Sequence, residues 1–150
     1  MRKGEMLGKA IVLATNAHAG QFDRGGRPYI LHILAVMYLL NSDDEELMAA
    51  AVLHDTLEDT KLTRADLRDA GMSERVINTV MLLTKMPGDT YEEYKAKVLT
   101  SRDAMLVKRA DLTHNSDIRR LKGVTEKDTA FMVKYHMFFL EIEAKLKETS

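Results

Sequence analysis

The chain has 150 residues, of which 30% are charged and 45% hydrophobic, and its 22 basic and 23 acidic side chains leave a formal net charge of −1. That length fits a single domain spanning 1–150 with a sizeable core, and that charge balance gives no sign of a nucleic-acid or membrane-surface protein. The absence of cysteine excludes a disulfide framework, a thiolate metal site and a cysteine nucleophile.

At the N-terminus, Asn16 and His18 interrupt what would be the apolar core of a signal peptide. No stretch approaches the roughly 20 apolar residues that cross a bilayer. The expectation is a cytoplasmic protein. Met6, Leu7, Ala10, Ile11, Leu13, Ala14 and Ala17 follow helical spacing, with Gly20 as the stop. A polar loop over 21–28 contains Arg24 and Gly25-Gly26. A second helix is predicted to start near Pro28 and to run to about Leu40. Ser42 with Glu45 reads as the capping box of a third helix. Thr63 with Asp66 opens another, stopped by Gly71. Ser73 caps a helix carrying Val76, Ile77, Val80, Met81 and Leu83, which ends by Pro87-Gly88. Thr90 with Glu93 is a further capping box. A helix from Arg102 carries Val107, Lys108, Asp111, Leu112 and Asn115, and the last runs from about Glu126 to Lys147. No segment shows strand alternation, so the fold class is all-α, a compact helical bundle.

The third helix ends unusually. Ala49-Ala50-Ala51-Val52-Leu53 reads as buried, and His54-Asp55-Thr56-Leu57-Glu58-Asp59 follows without a break. Burying an imidazole and three carboxylates there costs several kcal/mol unless they are paired or bind metal. Either the helix surfaces at His54 or the group holds a cation. His32, between Leu31 and Ile33, and Asp111, between Val107 and Leu112, also interrupt apolar faces. Taken singly, a core histidine or a salt-bridged carboxylate explains each. Together, His32, His54, Asp55 and Asp111 make a set for manganese, iron or magnesium, with room for water and a substrate oxygen.

The order His32, then His54-Asp55, then Asp111 resembles the signature of the HD-domain metal phosphohydrolases. Ala17-His18-Ala19-Gly20-Gln21-Phe22-Asp23-Arg24 with Gly26-Arg27-Pro28-Tyr29-Ile30-Leu31-His32 resembles the opening of the RelA/SpoT-type hydrolase domain. His54-Asp55 with Glu58-Asp59, and Val107-Lys108-Arg109-Ala110-Asp111 with His114-Asn115, resemble its two later motifs. The resemblance spans roughly Met6 to Leu121 and implies an HD-type helical bundle. It implies a manganese-dependent 3′-pyrophosphohydrolase of guanosine tetra- or pentaphosphate, releasing pyrophosphate and GDP or GTP. No synthetase domain follows the last motif, so the expectation is a stand-alone small alarmone hydrolase. By the resemblance, His32, His54, Asp55 and Asp111 hold the metal, and Glu58 and Asp59 are the acid-base pair. Glu58, at i+4 from His54, stays on the metal face if the helix continues. Arg24 is expected to contact phosphate, and Lys108 and Asn115 the nucleotide. His18, His114 and His136 are read as structural. Gly25, Ile33 and Ile118 depart from the family pattern around the nucleotide. Two alternatives stay open: hydrolysis of another nucleotide or of the 2′-phosphate of NADPH, and a nucleotide-binding module without catalysis. A nucleotide is the expected partner, and a homo-oligomer is compatible with everything above.

Overall fold

Capping chemistry divides the chain into helices. The structure, a computed structural model, describes residues 1–148. Its elements are α1 (Glu5–Ala17), α2 (Ile30–Leu39), α3 (Glu45–Leu53), α4 (Thr56–Asp59), α5 (Arg64–Asp69), α6 (Glu74–Leu82), α7 (Tyr91–Val98), α8 (Arg102–Asn115) and α9 (Glu126–Glu148), with a 3₁₀ turn at Ile118–Arg120. The all-α expectation holds among the described residues. Their only strand-like feature is an isolated antiparallel bridge between Phe22 and Pro28. No helix is long and apolar enough to cross a membrane.

The boxes at Thr63/Asp66 and Thr90/Glu93 form as expected, each satisfying two otherwise orphaned N–H groups. Two boundaries differ from the sequence reading. Asp44, not Ser42, caps α3: its carboxylate accepts from the Leu47 N–H, and the Ser42 hydroxyl accepts from the Asp44 N–H instead. A carboxylate is the better partner for the positive end of a helix. The second helix starts at Ile30 because Pro28 is held in the bridge to Phe22.

α3 is the centre of the bundle, packed against α1, α2, α6 and α8. Ala49, Ala50 and Ala51 are fully buried, and their small side chains let the surrounding helices approach closely. Around them Ile33, Val36, Val52, Leu53, Val76, Ile77, Val80, Val107 and Leu112 complete the core, and Phe138 and Ile142 of α9 close its far side. Where α3 leaves this core, His54 emerges between α2 and α8.

Candidate metal centre

α3 stops at Leu53 because side chains capture its last carbonyls. His54 Nδ1 donates to Ala51 O at 2.6 Å, and Thr56 Oγ1 donates to Leu53 O at 2.7 Å. Such local bonds compete with the helix ladder. Asp55 turns the backbone, and α4 restarts as a single turn from Thr56. The helix is thus interrupted at His54-Asp55 rather than continuous through Glu58. Glu58 accepts from the Lys85 N–H at 2.6 Å, tying α4 to the loop after α6.

The turn does bring the predicted ligands together. His32, His54, Asp55 and Asp111 each offer a donor atom, and these atoms lie within 4.8 Å of one another. His32 Nε2 is 2.9 Å from Asp111 Oδ1, and His54 Nε2 is 3.1 Å from Asp55 Oδ2 and 3.3 Å from Asp111 Oδ1. Atoms about 2.1 Å from a shared ion lie roughly 3–4 Å apart, so the spacing fits a divalent cation. The tautomers fit as well. His54 Nδ1–H is committed to Ala51 O, which leaves Nε2 as the nitrogen that faces the cluster. Two imidazoles and two carboxylates suit a hard-to-borderline ion.

Electrostatics keep both carboxylates ionised. Burial pushes Asp55 up, but the positive charge of the His54 imidazolium, which burial opposes and Asp55 and Asp111 sustain, overrides it and holds the carboxyl at about 2. Burial likewise opposes ionisation of Asp111, and the Lys108 ammonium, 3.0 Å from its Oδ2, overrides it and holds the pKa well below the usual range.

A ring of further groups fixes these four. Tyr29 donates its hydroxyl to Asp55 Oδ2 at 2.5 Å. Lys108 and Asn115 both reach Asp111, Asn115 through an amide donor 3.1 Å from Oδ1. Lys108, expected on the nucleotide, is half-buried against Tyr94, its Nζ 5.2 Å from the ring centroid. His114 stacks on His32 with the two Nδ1 atoms 2.7 Å apart. Burial, then the Arg120 charge, lowers the His114 pKa to about 4. It is therefore neutral, and one hydrogen bridges the two Nδ1 atoms; with His32 as the donor, His32 Nε2 is the nitrogen left for an ion. Sequence reading treated His114 as structural, although its place three residues after Asp111 put it on the same helical face.

Two arms extend from the centre. On one side His18 Nδ1 lies 2.7 Å from Gln21 Oε1, and Gln21 Nε2 donates to Asp59 O at 2.8 Å. This chain anchors the end of α4 to the end of α1. On the other side, residues 21–29 form a small hairpin in which the Asp23 N–H donates to Arg27 O and the Tyr29 N–H to Gln21 O. Arg24 at its tip ion-pairs with Asp128 of α9 and lies 5.2 Å over the Phe131 ring. Gly25 presses against Arg120: a Cβ there would meet the Arg120 carbonyl oxygen at 1.9 Å. The basic residue of the family pattern has no room at this position. Arg120 in turn donates to His114 O, Asn115 Oδ1 and Asp23 Oδ2. Between hairpin, α8 and α9 lies a cavity of about 320 Å³, lined among others by Arg24, Tyr29, Asn115, Arg120, Phe131 and Tyr135. Asp59 lines a second cleft beside Gln21 and lies close enough to the cluster to feel the charges of Asp55 and Asp111. Burial, then the charges of Asp55 and Glu58, raises the Asp59 carboxyl to about 6.

Comparison with known proteins gives the family and the fold. The family described as the HD domain matches residues 10–123. The guanosine-3′,5′-bis(diphosphate) 3′-pyrophosphohydrolase of Haemophilus influenzae is 36% identical over 117 residues, which is 69% of this chain and 17% of that protein. The bifunctional (p)ppGpp synthase/hydrolase SpoT of Escherichia coli is 34% identical over 73% of this chain and 17% of its own length. The GTP pyrophosphokinase of Myxococcus xanthus is 32% identical over 84% of this chain and 18% of its own length. The chain thus spans under a fifth of these relatives. A solved structure, described as a metazoan ortholog of SpoT that hydrolyzes ppGpp and plays a role in starvation responses, aligns with TM-score 0.76. It covers 95% of this chain and 92% of its own at 22% identity, which shows a shared fold.

Proposed function

This chain belongs to the HD-domain family, and we propose that it is a manganese-dependent hydrolase of the 3′-pyrophosphate of guanosine tetra- or pentaphosphate. One observation carries the choice of a nucleotide. The cavity of Arg24, Asn115, Arg120, Phe131 and Tyr135 joins the metal cluster through two of its own walls. Tyr29 bonds Asp55, and Asn115 bonds Asp111, so a ligand seated there has its phosphate end beside the four ligands. The aromatic pair offers a face for a purine, and Asn115 offers both a donor and an acceptor. Asp128 and Asp23, which line the same cavity, ion-pair with the two guanidinium groups.

When bound at His32, His54, Asp55 and Asp111, a divalent ion lowers the pKa of water and draws charge from a phosphoryl oxygen. The chain's own residues do the rest. Asp59, with a carboxyl raised to about 6, takes the proton of the attacking water near neutral pH. The water oxygen bonds the phosphorus attached to the ribose 3′ oxygen, and the bond from that phosphorus to the 3′ oxygen breaks. The 3′ oxygen takes up the proton, and pyrophosphate leaves with GDP or GTP as the other product. Gln21 keeps Asp59 at the end of α4 during this exchange, and Glu58 keeps α4 against the loop at Lys85. Residues 1–150 act as one domain in this reading, and a cytoplasmic location goes with such a substrate.

The test is a substrate panel with manganese, read as pyrophosphate against orthophosphate. Pyrophosphate from guanosine tetraphosphate supports the reading. Orthophosphate from other nucleotides or from NADPH, with none from the tetraphosphate, overturns the substrate. Turnover by Asp55→Ala at the rate of the natural chain overturns the site.

A further inference from the structure

α9 is apolar on two opposite faces. One carries Phe138, Ile142 and Leu146, all buried in the bundle. The other carries Ala130, Val133, Met137, Leu140 and Ala144, all exposed. Their spacing is three, four, three and four residues, the a/d seam of a heptad repeat. Single exposed apolar side chains need no explanation. A seam in register along the longest helix does, because a surface helix ordinarily turns polar residues outward. Val133, Met137 and Leu140 are 60%, 54% and 47% exposed.

We propose that this seam is a self-association surface, on which α9 pairs antiparallel with α9 of a second copy of the chain. The charges along its edges select that occupant and that direction. In an antiparallel two-fold pair, a positions face d positions, so Met137 meets Leu140 of the second copy and Val133 meets its Ala144. The flanking positions then set Lys134 opposite Glu141 and His136 opposite Glu143, each twice by symmetry. A parallel pair would set Glu143 against Glu148, a like-charge contact. A parallel pair keeps one favourable contact, His136 with Glu141, but sets Lys134 against Thr129, so the antiparallel pair is the more complementary of the two. Within its own chain Glu141 bonds Lys95 at 2.9 Å, Glu143 bonds Arg109 at 3.1 Å and Lys134 lies 3.9 Å from the Tyr91 ring centroid, yet the two carboxylates are 42% and 33% exposed and each accepts several donors. The seam lies opposite the core face of α9, so pairing leaves the packing of Phe138 and Ile142 undisturbed.

Sedimentation velocity of the full chain over a concentration series tests this. The expected result is a rise toward twice the single-chain mass, in the micromolar range usual for small interfaces. Lys134→Glu and Glu141→Lys are each expected to weaken association about tenfold, and the double variant to restore it to within about threefold. Met137→Asp should abolish it. Circular dichroism checks that each variant keeps its helix content. Single-chain mass at every concentration overturns the proposal, and so does a double variant no better than either single one.

Discussion

His32 and His114 share one proton across 2.7 Å between their Nδ1 atoms, and their rings stack at 27°. The bond fixes both the tautomer and the tilt of His32 at the cluster. Partners of this kind are worth roughly ten- to a hundredfold in metal affinity. His114→Ala is therefore expected to weaken manganese binding at least about tenfold without unfolding the chain. Titration calorimetry with manganese and a thermal melt check the two halves separately. Unchanged affinity would mean that packing alone holds His32.

Gln21 bridges His18 and the main chain of Asp59. It touches none of the four metal ligands by hydrogen bond, so Gln21→Ala should leave metal affinity intact. It should lower kcat about tenfold, because a misplaced acid-base group loses much of its roughly 10²–10⁴-fold contribution. Asp59→Asn should lose nearly all of that contribution. Adding Gln21→Ala to Asp59→Asn should then cost little more, since the two act through one carboxyl. A KM effect without a kcat effect would place Gln21 on the substrate instead.

The helices and the four clustered residues were legible because both follow local rules. Caps at Thr63, Ser73 and Thr90 mark helix starts directly, and polar residues on apolar faces mark His32 and Asp111. The break after Leu53 was not legible. It depends on His54 and Thr56 turning back onto the carbonyls of Ala51 and Leu53, which a helical periodicity does not encode. Beyond that break Glu58 accepts from the Lys85 N–H. His114 was overlooked for a related reason, because its partner His32 lies 82 positions away in the chain. The steric demand on Gly25 comes from Arg120 and is equally non-local.

Asp59 carries the pH dependence. Its folded pKa of about 6 stands above the ordinary 3.8, through burial and the charges of Asp55 and Glu58. Its ionised form is disfavoured in the fold, so the stability it contributes is full below pH 3.8 and is lost as pH rises through 6. As a base it works only when ionised, so kcat/KM should rise with pH and level off just above 6. Asp59→Asn should remove that limb. Carbon-13 NMR of the Asp59 carboxyl, followed with and without magnesium, gives an independent reading. A cation between Asp55 and Asp111 cancels part of the repulsion, so the midpoint should fall when magnesium is added.

Arg75 joins three helix starts. Its guanidinium bonds Asp103 at 2.8 and 3.0 Å, Asp44 at 3.1 and 2.9 Å, and Glu46 at 2.9 Å. The group is 39% exposed, so solvent screens each pair. The fork geometry and the three-way network still add up. Arg75→Ala is expected to cost about 1–2 kcal/mol, seen as a Tm lower by a few degrees. Arg75→Lys keeps the charge but not the fork and should recover less than half. Raising the salt should narrow the gap between the natural chain and Arg75→Ala, because the screened pairs account for the difference.

Glu58 separates positioning from catalysis. Its carboxylate accepts the Lys85 N–H and so holds α4 against the loop of residues 84–89. Glu58→Gln keeps an acceptor oxygen at that place, and Glu58→Ala removes it. If Glu58 works by holding the loop, Glu58→Gln should keep most of the activity and Glu58→Ala should lose about tenfold. If instead it exchanges protons with the substrate, both variants should fall together by roughly 10²-fold or more. The hydrogen bond to Lys85 favours the first outcome. Amide exchange at Lys85 decides the structural half without reference to activity: protection should persist in Glu58→Gln and vanish in Glu58→Ala.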